Sequence, residues 1–140
     1  MDTSTQDERL MAGFAHVAIL FRAVGIVVPI VMWATQREKS KFVQAHALQA
    51  LGWQALDVVL SLLLIAVCMA LFVSLSFAPA PGSPSNAPAP GMLMAFGGFG
   101  LVGLVMLVMI IFGVVAACHA FQGKPYVYPI IGRYMQRFQR

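Results

Sequence analysis

The side chains in this sequence that could do chemistry are few and scattered. Arg22 and Asp57 are charges set inside apolar stretches. Charge in a bilayer is costly and is usually paired or functional. Arg22 lies twelve residues before Ala34, and Asp57 lies twelve after Ala45. If both segments are helical and share a boundary, the two sit at a similar depth of roughly 18 Å. That permits an intramembrane ion pair, the favoured reading. The alternatives are a transport or proton path drawing on Arg22, Asp57, His46, Gln49 and Gln54, or snorkelling of Arg22 to an interface.

His16, His46 and His119 each lie near the end of an apolar segment. His46 and His119 could ligate haem iron or a related macrocycle from facing helices. Hydrogen bonding to backbone or headgroups is the ordinary alternative, and nothing else in the chain calls for a cofactor. Cys68 and Cys118 lie in apolar runs and read as small buried hydrophobes. Ser61, Ser74 and Ser76 sit in apolar helix, where bonding back to the preceding turn is expected. HExxH, a phosphate-binding glycine loop, GxSxG and CxxC are all absent. No enzyme activity is expected.

The elements that position these residues are set by composition. Of 140 residues, 60% are hydrophobic and 10% charged, and the mean hydropathy is +0.83. Soluble domains carry roughly 25% charged residues, so lipid is the expected solvent for most of the surface. The net charge of +4 comes from basic residues flanking apolar segments. That pattern fits topology and anionic lipid, not nucleic acid.

Three spans are expected, over 14–34, 45–77 and 92–121, in an all-α integral membrane bundle. The first holds Pro29 and Gly25 and is expected to kink, with a re-entrant hairpin as the alternative. The second is too long for one upright span, and its start, 45–57, is either interfacial or membrane-spanning. The 78–91 loop, APAPGSPSNAPAPG, has five prolines and no charge, and favours extended geometry. In the third segment Gly97, Gly100 and Gly103 repeat at three, and Gly113 with Ala117 gives a small-xxx-small pair. Such residues permit close helix approach. The tail, 122–140, opens on a Gly-Lys-Pro turn. Pro129 suits the first turn of a short amphipathic helix, with Ile130, Ile131, Tyr134 and Phe138 on one side and Arg133, Arg137 and Arg140 on another.

Three basic residues lie in 35–42 and four follow Phe121; the Pro-rich loop has none. The positive-inside rule puts the 35–42 loop and the C-terminus in the cytoplasm. Three spans then put the N-terminus outside. Its acidic start, with Asp2, Asp7 and Glu8, argues against a cleaved signal.

DERLMAGFAHVAILF at 7–21, PIVMWATQREKSKFVQAHALQAL at 29–51 and YPIIGRYMQRF at 128–138 together resemble a family of small bacterial membrane proteins of unknown function. That family is distantly similar to the Tic-twenty component of the chloroplast inner-envelope import machinery. The resemblance rests on Phe42, His46, Gln49, Tyr128, Pro129, Gly132 and Arg133, and implies a helical bundle in the bacterial inner membrane. His46 and Gln49, three apart beside small alanines, suit a tight hydrogen-bonded helix contact. The leading functional expectation is a non-enzymatic accessory or assembly subunit that contacts membrane lipids and packs against other membrane proteins or itself. A translocation component and a haem- or pigment-binding subunit are the alternatives.

Overall fold

The computed structural model describes residues 4–77 and 90–135. Their regular structure is all helix, without a strand. The elements are α1 (Gln6–Val17), a 3-10 turn (Ala18–Phe21), α2 (Arg22–Gly25), α3 (Val27–Gln36), α4 (Lys41–Ser76), α5 (Pro90–Phe121) and a single turn, α6 (Gly132–Met135). An all-α membrane bundle is the architecture these elements define. They fall into two compact units, one of Met1–Val58 with Val108–Arg140 and one of Val59–Leu107. The Pro-rich loop, apart from its last two residues, lies outside the described residues, as do Arg137, Phe138 and Arg140 of the tail.

In the first unit, a capping box starts α1. The Thr5 hydroxyl accepts from the Glu8 backbone N–H at 3.3 Å, and the Glu8 carboxylate accepts from the Thr5 N–H at 2.7 Å. Asp7 and Glu8 also face the positive end of the helix dipole. The first apolar segment is not one kinked helix. It breaks after Phe21 and folds back, so that α1 and α3 pack on each other. Arg22 takes φ +57° at the break. Gly25 is needed there, because a side-chain carbon at that position would run into the Ala18 carbonyl. Pro29 does not kink a span. It sits in the first turn of α3, where its missing N–H costs nothing.

Ser40 caps α4, its hydroxyl accepting from the Val43 N–H at 3.2 Å. Val43, His46, Ala47, Ala50, Trp53, Gln54, Asp57 and Ser61 are buried along one helical stripe. On α5, Gly113, Ala116, Ala117 and Ala120 form a buried small-residue face. It lets α1 and its turn approach closely: Gly113 lies against Ile19, and Gly13 against the Phe121 ring. The Gly113–Ala117 pair is therefore used inside the chain.

The α5 helix ends in a Schellman motif. Lys124 N–H bonds the His119 carbonyl at 2.9 Å, Gly123 N–H bonds the Ala120 carbonyl at 2.9 Å, and Gly123 has φ +71°. The N-terminal stretch, the start of α4 and this turn meet at one end of the unit. Glu8 lies beside the Ser40 hydroxyl, and Arg9 and Ser4 lie against Gly123.

The second unit is an apolar helical hairpin. Gly98 packs on Cys68, and Gly91 lies beside Ser76 and the Phe72 carbonyl. A cavity of about 130 Å³ between Cys68, Phe72, Ala95 and Phe99 is lined by apolar surface alone. Gly97, Gly100 and Gly103 face open space. The α4 and α5 helices, at 36 and 32 residues, extend roughly 54 and 48 Å at 1.5 Å per residue. Both are long and apolar enough to cross a membrane.

Candidate functional site

The polar side chains of the first unit converge on its interior. At the centre is a relay of three rings from three segments. The Tyr128 hydroxyl is 3.0 Å from His16 Nδ1, and His16 Nε2 is 3.0 Å from His46 Nδ1. Each ring nitrogen can donate or accept, so the tautomers of His16 and His46 set the direction of the two bonds. Burial pushes the Tyr128 phenol well above the usual tyrosine range; Tyr128 is 1% exposed.

The Tyr128 N–H donates to Gln49 Oε1 at 3.4 Å, and Gln49 Nε2 donates to the Gly132 carbonyl at 3.1 Å. Gln49 thereby fastens the tail to α4. A Cβ at Gly132 would press on Val127 and sit 3.2 Å from Gln49 Oε1, so the close approach needs glycine. Trp53 stacks on Tyr128 with ring centroids 4.4 Å apart and donates its indole N–H to the Met109 carbonyl at 3.0 Å. Phe42 lies against His46 at 4.6 Å between centroids. Gln54 Nε2 donates to the Ala15 carbonyl at 3.1 Å, and Arg22 Nη1 lies 3.0 Å from Asp57 Oδ2.

The structure thus places Arg22 with Asp57, and Phe42, His46, Gln49, Tyr128 and Gly132 together in one cluster. Pro129 belongs to the turn beside it, and Arg133 is exposed. His46 and His119 have different partners. His46 turns Nδ1 to His16, whereas His119 turns Nδ1 to the Val115 carbonyl and its ring to Tyr126. Among the described residues, no group of three His, Cys, Asp or Glu is arranged to hold a metal ion. The relay ties three segments of the chain together. The roles of His16 and of Tyr128 as a core residue were not legible in sequence. The one available signal was that Trp53 and Tyr128 are amphipathic aromatics, which when buried need both a ring partner and a hydrogen-bond partner.

Fold and site together define an integral membrane protein, all-α, whose buried polar groups hold its own helices and tail in place. The chain matches the MamF/MmsF family model over residues 7–135, and it belongs to that family, the magnetosome magnetite crystal formation protein family. This corrects the likeness to the Tic-twenty-related family: the stretches at 7–21 and 29–51, and the tail up to 135, fall within the matched region. No curated protein and no solved structure matches the chain.

Proposed function

We propose that the chain serves magnetite crystal formation as a non-enzymatic membrane subunit, packing laterally against other integral membrane proteins or further copies of itself. The observation that carries this reading is the exposed glycine face of α5. Gly97, Gly100 and Gly103 have nothing within 4 Å of where a Cβ would stand, while Gly98 is already used against Cys68. Without a water-driven force, helices in lipid associate where small residues allow backbones to approach. The end carrying Lys39, Lys41, Lys124 and Arg133 faces the cytoplasm by the positive-inside rule, and the C-terminus with it.

Purification of the tagged chain in mild detergent from its native membrane tests this. A protein partner or a self-association product in fixed ratio is expected, lost in Gly100→Leu. A chain that stays monomeric and alone, with crystals unchanged when Gly100→Leu replaces it, overturns the reading.

A further inference from the structure

We propose that residues 18–31 form a re-entrant wedge. It enters the bilayer from the face carrying the N-terminus, the 35–42 loop and the tail, returns to that face, and is covered by acyl chains of that one leaflet. The membrane is thus crossed by α4 and α5 alone.

Four observations carry this. First, the two ends of the segment are at one place. Glu8 lies beside the Ser40 hydroxyl, Arg9 and Ser4 lie against Gly123, and the Phe14 ring meets Phe121 edge-on at 6.1 Å. Second, the arms are too short to cross. At 12 and 10 residues, α1 and α3 reach roughly 18 and 15 Å, about half of a hydrocarbon core of roughly 30 Å. Third, the tip is apolar and outward. Leu20, Phe21, Val24, Val27, Ile30 and Val31 are exposed, Phe21 at 69% and Val24 at 77%. Water would be a poor solvent for this surface. On the same unit, Ile111 and Val114 of α5 present exposed apolar side chains as well.

Fourth, the features that make irregular backbone tolerable in lipid are present. Such backbone must be shielded by protein. Ile19 in the turn is 1% exposed and lies against Gly113. Arg22, the charge within the wedge, is held by Asp57 of α4 at 3.0 Å. The partner is lipid and not a second protein helix because the exposed tip side chains are large and branched; they leave no small-residue groove for a close backbone approach.

The test uses the full chain in native membranes, in a Cys68→Ala, Cys118→Ala background, with single cysteines at Ser4, Lys39, Gln122 and Val24. A membrane-impermeant maleimide is applied from each side in turn. Ser4→Cys, Lys39→Cys and Gln122→Cys should all label from the same side and lose labelling from the other. Val24→Cys should label from neither. Phe21→Cys serves as the second tip variant should Val24→Cys accumulate poorly, and an environment-sensitive fluorophore there should be quenched by lipids brominated near the headgroup end of their chains. Labelling of Ser4→Cys from the side opposite Lys39→Cys overturns the wedge in favour of a crossing span. Ready labelling of both tip cysteines overturns burial in lipid. Neither result depends on whether the chain associates with partners, so failure of the wedge and failure of the subunit reading are distinguishable.

Discussion

Replacing Arg22 separates two opposed contributions at the tip of the hairpin. Its backbone, at φ +57° and ψ −135°, lies where side-chain-bearing residues are strained, at a cost of order 1–3 kcal/mol. Its guanidinium offsets this by holding Asp57, whose side chain is 3% exposed against 34% for Arg22. Removing one partner of a fully buried pair costs about 3–5 kcal/mol. Arg22 is only partly enclosed by protein, so about 2 kcal/mol is the appropriate scale here. Arg22→Ala loses the pair and keeps the strain, and should destabilise by about 2 kcal/mol. Arg22→Gly loses the pair and relaxes the backbone, and should recover about 1 kcal/mol of that, roughly fivefold in the unfolding equilibrium. Unfolding by titration with sodium dodecyl sulfate, followed by tryptophan fluorescence, measures both, with the buried Trp53 reporting on the core. Asp57→Asn should cost much less on the Arg22→Gly background than on the native chain. If Arg22→Ala proves as stable as Arg22→Gly, the strain argument is refuted; additive costs for the two positions refute the pair.

Three further outcomes follow from the same geometry. Tyr128→Phe leaves His16 Nδ1 without its partner and should destabilise by about 1–3 kcal/mol. Because the folded state raises the Tyr128 pKa, native stability should be full below about pH 10 and fall as pH rises above it, a loss the Phe variant should lack in alkaline unfolding curves. At the other extreme, the Ser40 hydroxyl and then the Thr5 N–H hold the Glu8 carboxyl below its usual range; α1 should keep this support above about pH 4 and fray as pH falls through the lowered value, read as faster amide exchange over α1. Gly113→Leu, which meets Ile19 at 2.8 Å, should cost about 1–3 kcal/mol by overpacking, whereas Gly100→Leu should leave the chain's own stability within about 0.5 kcal/mol and act on association alone.

The all-α membrane architecture and the long apolar helices α4 and α5 were determined by the sequence itself. A run of some thirty apolar residues in lipid can satisfy its backbone only as helix, whatever its neighbours. The turn after α5 was equally local, since Gly123 can adopt the positive φ and Pro125 cannot continue the helix. The family was less legible, because small and apolar positions are shared by many membrane bundles. Tertiary structure decided the path of 14–34. Hydropathy counts apolar residues and cannot distinguish a helix that crosses from two short arms that return. What makes the chain return is the close passage of Gly25 over the Ala18 carbonyl, the hold of Asp57 on Arg22, and the meeting of Glu8 with Ser40. Likewise, His46 offered no sign in sequence that its partner would be His16 and not His119. That pairing depends on α1 lying against α4, and hydrogen bonds between residues 30 and 112 positions apart form only once packing has brought those segments together.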